Sequence, residues 1–416
     1  MATSRPQVRG IRRVDLAYAK VASSELARDV NRDLLLEIVR SHQPVSRADL
    51  SRLSRLQPST VSAIVEDLIE DGWVVEGGTA SRPRGRRPTM LSINDEFVVL
   101  VADIRPRQAI LSVVDLNGRF LAREALPIST EAQPAVNAIV AAMQAMREEH
   151  PTKSFVGVGI SLPGRVDPRT QRLVHAPNLS WTQFDLKSAI QQEIGLPTEM
   201  DNAANASLLS ELWFGNMDGT RDAVLVTFAE GVGAAILADG QLVVGRGGLA
   251  GEFGHIPMDA AGLPCGCGQR GCWETVSSNR AALRYYAEKT SSDTHLTYLD
   301  LIHRATESEA AAIEAIEEQA RAIGRGLRLV TASLSPEIIL IDGDIVGAWA
   351  IARPVIEEEL HKGMLAGTPP RVIRSSGGEL GRLRGAAAVL LQRRSAHHHH
   401  LVQTSAESAP ALASLA

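Results

Sequence analysis

The three cysteines of this 416-residue chain all fall within eight residues, and this cluster constrains the fold more than any other feature. They are Cys265, Cys267 and Cys272, and His255 lies ten positions before the first. Three thiolates and one imidazole make a closed tetrahedral zinc site with no open position for catalysis. The alternative is three buried free thiols, a common state of intracellular cysteines. The clustering predicts one structural Zn²⁺ per chain, bound by His255, Cys265, Cys267 and Cys272.

The length and composition predict a cytoplasmic globular protein of several domains. Its 44% of apolar and 22% of charged residues are typical of chains that bury large cores. No apolar run approaches the roughly 18 residues of a membrane-spanning helix, and the arginines near the start precede no apolar core of a signal peptide. Few cysteines and no export signal fit a reducing compartment. We therefore expect no membrane partner.

Charge is unevenly distributed along the chain, although the net charge is only −5. Residues 1–95 hold 15 Lys/Arg and 12 Asp/Glu. The remainder of the chain holds 28 Lys/Arg and 36 Asp/Glu. A basic segment joined to an acidic one indicates two functions, and the basic segment is the candidate for binding a polyanion.

The basic segment carries the pattern of a helix-turn-helix. A first helix is predicted after Asn31 and ends at the break His42-Gln43-Pro44. Ser46 is expected to cap a second helix with an apolar face of Leu50 and Leu53. A short turn leads to a third helix, in which four residues are expected to be buried: Val61, Ile64, Val65 and Leu68.

The third helix starts near Pro58 with small polar residues, and this end of a recognition helix enters the major groove of DNA. Two strands, at 72–76 and 90–93, then flank a loop with four arginines, which predicts the wing of a winged helix. The residues expected to contact DNA are Ser46, Arg47, Ser59, Thr60, Ser62, Arg82, Arg84, Arg86 and Arg87. The alternative is an ordinary three-helix bundle with a solvated basic loop.

The acidic segment alternates between strands and helices, which predicts an α/β domain. Strand-length apolar runs cover 98–104, 109–115 and 155–161, Asn117-Gly118 predicts a hairpin turn, and a helix is expected around 135–149. A second such half begins at residues 223–228. Two α/β halves would form a cleft between them, where ligands commonly bind.

Two glycine-rich motifs lie in the second half. They are Gly245-Arg246-Gly247-Gly248-Leu249-Ala250-Gly251-Glu252-Phe253-Gly254-His255 and Cys265-Gly266-Cys267-Gly268-Gln269-Arg270-Gly271-Cys272-Trp273-Glu274. Both resemble motifs of the ROK family, which groups bacterial sugar kinases with sugar-responsive transcriptional repressors. Shorter matches are Leu162-Pro163-Gly164, Asn178-Leu179-Ser180-Trp181 and Gly385-Ala386-Ala387. The basic segment, down to Gly85-Arg86-Arg87-Pro88, resembles the winged helix of the repressor branch, which the kinases lack.

The resemblance covers nearly the whole chain and implies its architecture. A mainly α, N-terminal winged helix-turn-helix would occupy residues 1–95. A two-lobed α/β domain of the actin/hexokinase-like (ROK) fold would occupy 96–395, with the zinc site in its second lobe. Residues 396–416 are expected to form a disordered tail that includes His397–His400, either a metal-binding tract or a cloning remnant. An additional helix is expected around Leu16–Leu26.

The resemblance also implies a sugar pocket in the cleft. In the family, an Asn, the Glu and His of the Glu-x-Gly-His motif, and the Glu after the last cysteine bind sugar hydroxyls. These positions are Asn202, Glu252, His255 and Glu274 here. Carboxylates accept hydrogen bonds from vicinal hydroxyls, and an imidazole held by zinc is fixed in one tautomer with its second nitrogen free. The alternative for Glu274 is simple support of the zinc loop.

Several positions depart from the pattern of the family's kinases. The base, an Asp in Asn-Asp-Ala-Asn, is replaced by Ala203, which cannot accept a proton, and Asp201 lies two positions too early to replace it. The first phosphate loop of the kinases, Asp-x-Gly-Gly-Thr, is replaced here by Asp103-Ile104-Arg105-Pro106-Arg107. The second, Gly-Thr-Gly, is replaced by Ala229-Glu230-Gly231, and a Gly-Gly pair near the adenosine site is replaced by Asp342-Gly343. We therefore predict that the domain binds sugar without phosphorylating it, so that the chain is not an enzyme.

The sequence thus predicts a sugar-responsive transcriptional repressor. It would bind a palindromic operator as a homodimer, with a tetramer as the other possibility, because one recognition helix reads only a half-site. Two alternatives stay open at this point. One is an active, ATP-dependent sugar kinase with an added DNA-binding domain, and the other is a repressor whose effector is a protein partner or a phosphosugar.

Overall fold

The computed structural model describes residues 24–79, 88–176, 179, 181, 184–215, 217, 219–290, 296–362 and 367–393. They belong to two compact units that meet in the chain between Asn94 and Asp95. The wing arginines, the tail from residue 396 and most of the helix expected around Leu16–Leu26 lie outside the described residues. No helix among the described residues is both long and apolar enough to cross a membrane.

The first unit is a winged helix. Its elements are α1 (Ser24–His42), β1 (Val45–Ser46), α2 (Arg47–Ser54), α3 (Pro58–Glu70), β2 (Val74–Thr79) and β3 (Thr89–Ile93). The three strands form an antiparallel sheet in the order β1-β3-β2. This arrangement confirms the predicted fold class, and it adds the short strand β1, which closes the sheet beside α2.

Local chemistry explains where the two short helices begin and which faces they bury. The Ser46 hydroxyl accepts a hydrogen bond from Asp49 N at 3.2 Å and so caps α2, as predicted. The four predicted core residues of α3 are all buried. Leu50 is also buried, but Leu53, the other residue of the predicted apolar face, is 43% exposed. Beside Leu50, Ser51 and Ser54 are partly buried, whereas Arg52 and Leu53 are exposed.

The second unit contains two lobes. The first is built from β4 (Phe97–Arg105), β5 (Gln108–Asp115), β6 (Phe120–Pro127), α4 (Ala132–Glu149), β7 (Ser154–Leu162), β8 (Arg165–Val166), β9 (Leu173–His175), α5 (Leu186–Ile194) and β10 (Thr198–Asn202). The second is built from α6 (Ala203–Phe214), β11 (Ala223–Phe228), β12 (Val232–Ala238), β13 (Gln241–Val243), α7 (Glu274–Ser277), α8 (Asn279–Thr290), α9 (Tyr298–Thr306), α10 (Ala310–Leu334), β14 (Ile338–Gly343), α11 (Trp349–His361), β15 (Arg371–Arg374) and α12, a helix over residues 381–393.

The two lobes repeat one sheet topology. The strand orders are β10-β7-β4-β5-β6 and β13-β12-β11-β14-β15. In each sheet the first three strands form an antiparallel meander, and the last two are added in parallel beside the first. The hairpin turns β4–β5 and β11–β12 therefore hold equivalent places. The predicted two-lobed α/β architecture is confirmed, with a separate hydrophobic core in each lobe.

Helix α12 lies against helix α6. A side-chain carbon at Gly385 would lie 1.9 Å from Ala206 O, so only glycine permits this approach. The predicted Gly385-Ala386-Ala387 match is therefore a packing feature. Its consequence for the site is that arginines of α12 reach buried carboxylates near the kinase positions.

Candidate functional site

The structure brings the four predicted metal ligands together. The donor atoms of His255, Cys265, Cys267 and Cys272 all lie within 4.8 Å of one another. His255 Nδ1 is 3.5 Å from Cys265 Sγ, and Cys267 Sγ is 3.6 Å from Cys272 Sγ. Around a tetrahedral Zn²⁺ with bonds of about 2.0–2.3 Å, ligand atoms are separated by roughly 3.5–3.8 Å. The four donors therefore fit this ion in number and type, and these two distances match its ligand spacing.

Two tight backbone turns fold the cysteines onto one point. Cys265 N donates to Gln269 O at 2.8 Å, and Gly268 N donates to Cys265 O at 3.0 Å. Gly268 has a φ of +88°, which a residue with a side chain rarely adopts. A bridge between Pro257 and Cys272 then returns the chain beside the histidine. The loop is thus shaped by its own hydrogen bonds.

The thiols differ in acidity. Burial raises the pKa of Cys272 to about 12 and also raises the pKa of Cys265. At Cys267 burial opposes ionisation, but hydrogen bonds from the Gln269 backbone and the neighbouring thiols outweigh it and lower the pKa. Because a thiolate is the form that binds a metal, binding at this cluster must displace protons.

Trp273 fixes the cluster to the core of the second lobe. The indole is 1% exposed, and its Nε1 donates to Ala322 O of α10 at 2.9 Å. Its ring meets Phe228 edge-on, with centroids 5.5 Å apart. Because Trp273 follows Cys272 directly, the position of the last thiol is set by this packing.

Three of the four predicted sugar-binding residues form a continuous group around the cluster. Glu252 Oε2 is 3.8 Å from His255 Nε2, while His255 Nδ1 faces Cys265. Glu274 Oε1 lies 3.7 Å from Cys265 Sγ, and its Oε2 accepts a hydrogen bond from Val232 N at 3.1 Å. Glu252, His255 and Glu274 thus lie side by side at the start of β12.

The fourth residue, Asn202, is the N-cap of α6, where its Oδ1 accepts a hydrogen bond from Asn205 N at 2.7 Å. Helix α6 packs on β12, and the Ala204 methyl would lie 3.5 Å from a side-chain carbon at Gly233. Gly233 follows Val232, to which Glu274 is bonded. The start of α6 therefore approaches the same strand end as the other three residues.

Ala203, predicted to stand at the position of the kinase base, is the first residue of α6. The neighbouring carboxylate of Asp201 is buried and fully engaged. Its Oδ2 is 2.7 Å from an Arg393 guanidinium nitrogen, and its Oδ1 accepts from Asn202 N and Asn205 Nδ2 at 2.7 and 2.8 Å. Asp201 is thus bound into the scaffold beside α12.

The β4–β5 turn, predicted to correspond to the first kinase phosphate loop, contains an ion-pair network. The fully buried Asp103 carboxylate accepts from Arg105 Nε at 2.9 Å and from Ser161 Oγ at 3.2 Å, and lies 3.2 Å from an Arg382 nitrogen. The sequence indicated the loss of glycine in this turn. Arg382 was missed, because it lies 279 positions along the chain and no local pattern connects it to Asp103.

The β11–β12 turn carries charge as well. Glu230 Oε2 lies 3.5 Å from Arg280 Nε, and the Arg280 guanidinium also donates to Glu230 O. In the Asp342-Gly343 pair, Asp342 accepts from Ser375 Oγ at 2.6 Å. Both acidic replacements predicted from the sequence are therefore held by partners.

The predicted DNA contacts fall into two groups. Ser59 is exposed and Thr60 and Ser62 are partly exposed at the start of α3, whereas Ser46 is buried under its capping hydrogen bond. Arg47 is bound to Glu76 at 2.7 Å. Arg82, Arg84, Arg86 and Arg87 lie outside the described residues.

Comparison with known proteins agrees with this division. Residues 103–393 match the ROK family, and residues 31–96 match the winged helix DNA-binding domain. The xylose repressor of Bacillus subtilis is 29% identical over 330 residues, which cover 78% of this chain and 85% of that protein.

Two solved structures are similar to this chain. A ROK family transcriptional regulator, a homolog of the E. coli MLC protein, aligns with a TM-score of 0.79 at 24% identity, over 92% of this chain and 100% of that one. A ROK family glucokinase from Streptomyces griseus, in complex with glucose and AMPPNP, aligns with a TM-score of 0.65 at 29% identity, over 71% of this chain and 99% of that one. The chain belongs to the ROK family.

Proposed function

We propose that this chain is a sugar-responsive transcriptional repressor whose kinase-like body binds sugar without phosphorylating it. The observation that carries the proposal is the union, in one chain, of a winged helix and a ROK body with Ala203 at the position of the kinase base. The similarity to the xylose repressor over both parts supports it. Residues 1–95 would read DNA, and residues 96–395 would sense the effector.

In this proposal the sugar hydroxyls bind to Asn202, Glu252, His255 and Glu274. Zinc, when bound, would neutralise the thiolates and hold the loop that presents His255 and Glu274. His255 faces the thiols through Nδ1, so Nε2 and the adjacent Glu252 can act together on neighbouring hydroxyls. Glu274 would report the sugar to β12 through its hydrogen bond with Val232.

Phosphoryl transfer is expected to be absent for three physical reasons. A positioned base is worth about 10²–10⁴ in rate, and Ala203 supplies none. Asp201 is already shared by Arg393 and two amide donors. The backbone cradle of the first phosphate loop is replaced by the Asp103–Arg105–Arg382 network.

The kinase alternative is tested by a coupled ATP-consumption assay over a panel that includes xylose and glucose, run beside a thermal-shift titration of the same sugars. We expect a shift with at least one sugar and no turnover, because a bound ligand stabilises the folded state. Robust turnover would establish a kinase. A shift only with sugar phosphates would identify a phosphosugar effector.

Operator binding would use Ser59, Thr60 and Ser62 with the wing arginines 82, 84, 86 and 87. Arg47 would contribute only after release from Glu76. A homodimer would place two such surfaces on a palindromic site. Sugar would then act through its differential affinity for the DNA-competent and DNA-incompetent states.

A further inference from the structure

In the described part of the winged helix, most arginines are already paired with carboxylates. Its described residues, 24–79 and 88–94, contain six arginines, no lysine and ten acidic residues. Five of the arginines are bound to carboxylates, in the pairs Arg28–Asp67, Arg32–Asp71, Arg40–Glu37, Arg47–Glu76 and Arg52–Asp49. Arg55 is exposed and makes no ion pair with any described residue. In this part of the chain it is therefore the arginine whose charge is left for an outside partner.

The position of Arg55 relative to α3 indicates what that partner is. It ends α2 and lies three residues before Pro58, the first residue of α3. The first turn of α3 has no acidic residue, whereas Glu66 and Glu70 lie in its second half beside Asp67, which Arg28 neutralises. Repulsion by Glu66 and Glu70 therefore favours the approach of a polyanion to the first turn. Arg55 thus stands beside the end of α3 that DNA can approach.

The backbone conformation of Arg55 also indicates a functional role. Its φ of 60° and ψ of 16° lie in the left-handed region, where glycine is favoured and a side chain is unfavourable. Glycine would form the same turn without this cost. Backbone strain of this kind clusters at functional positions.

We infer that Arg55 binds a phosphate of the DNA backbone and thereby fixes the register of α3 in the groove. The inference rests on the DNA-binding function of the winged helix. A guanidinium matches a phosphate with parallel hydrogen bonds, and contacts of this kind position a protein on any sequence. Arg55 is therefore a positioning residue, and base recognition is left to other side chains.

The test needs no knowledge of the operator, because a phosphate contact acts on any duplex. Binding of the full chain to a 30-base-pair duplex of random sequence is measured by fluorescence anisotropy as a function of salt. Arg55→Gly and Arg55→Gln are expected to weaken binding about tenfold or more. Each should lower the slope of log K against log [salt] by about 0.9 per winged helix on the DNA. Arg55→Lys should keep the slope.

The matched control is Arg28→Gln, which removes the same charge from an exposed arginine already bound to Asp67. It should leave the slope unchanged. Arg55→Gly should also unfold at the same temperature as the parent chain or a higher one, because it relieves the left-handed backbone. Loss of affinity without loss of stability separates a phosphate contact from a merely structural turn.

Two results would overturn the inference. One is an Arg55→Gly chain with the affinity and salt slope of the parent. The other is a loss in Arg28→Gln as large as that in Arg55→Gln, which would mean that only net charge matters. If the parent chain binds no duplex at any salt concentration, the DNA-binding function itself fails.

Discussion

A methyl group at Gly326 is expected to loosen the zinc loop from a distance. Gly326 lies in α10 beneath Trp273, and a side-chain carbon there would be 1.9 Å from Trp273 Cε2 and 2.3 Å from Nε1. Carbon atoms in contact are about 3.5–4.0 Å apart, so the indole has to move by roughly 1.5 Å. This movement breaks the hydrogen bond from Nε1 to Ala322 O and displaces the neighbouring Cys272.

The size of the effect follows from three contributions. Overpacking a filled core costs about 1–3 kcal/mol. The lost hydrogen bond adds about 0.5–1.5 kcal/mol. Replacing a helical glycine by alanine returns about 0.5–1 kcal/mol. Gly326→Ala should therefore lower the free energy of unfolding of the second unit by about 0.5–4 kcal/mol.

Stability is measured by urea titration, and zinc retention by release to a chromogenic chelator. We expect a lower urea midpoint and faster zinc release for Gly326→Ala. The control is Gly381→Ala in α12, where no atom lies within 4 Å of the added carbon. It should keep both properties. A Gly326→Ala chain with parental stability and parental zinc release would refute the anchoring role of Trp273.

Three further predictions test separate parts of the structure. Arg393→Ala leaves the buried Asp201 carboxylate without its cation and should lower the free energy of unfolding by about 3 kcal/mol in a urea titration, whereas an unchanged midpoint would contradict the pairing. Ser46→Ala removes the N-cap of α2 and should cost about 1 kcal/mol, measured as a lower Tm of the winged helix, and an equal Tm would argue against the cap. Zinc binding at pH 7.5 should release about two protons or more, because the pKa values of Cys265 and Cys272 are raised, and zinc affinity should fall as the pH is lowered. Calorimetry in buffers of different ionisation enthalpy measures this release. Zinc binding that releases no protons would show that the thiols are already ionised.

The sequence predicted those parts of the molecule that local chemistry determines. The end of α1 at His42, the cap at Ser46 and the buried face of α3 follow from residues within one or two turns of each other. The metal cluster was predictable because its three cysteines lie in one short loop. The two-lobed body followed from the alternation of strands and helices and from the family motifs.

Features that depend on contacts between distant segments could not be predicted. Asp103 was expected to mark a degraded phosphate loop, but its neutralisation by Arg382 depends on where α12 returns. The exposure of Leu53 depends on which side of α2 meets its neighbours, and helical spacing alone leaves that side undetermined. Asn202 illustrates a third case, because the side chain proposed to bind sugar also caps a helix.

The most direct test of the account is the affinity of the full chain for its DNA as a function of sugar concentration, in the absence of nucleotide. The duplex is one selected by this chain from a random library, and the sugar is the one that gives a thermal shift. Sugar alone is expected to weaken DNA binding in a saturable manner. The contradicting result is a DNA affinity that does not change with sugar concentration until ATP is added and ADP is formed.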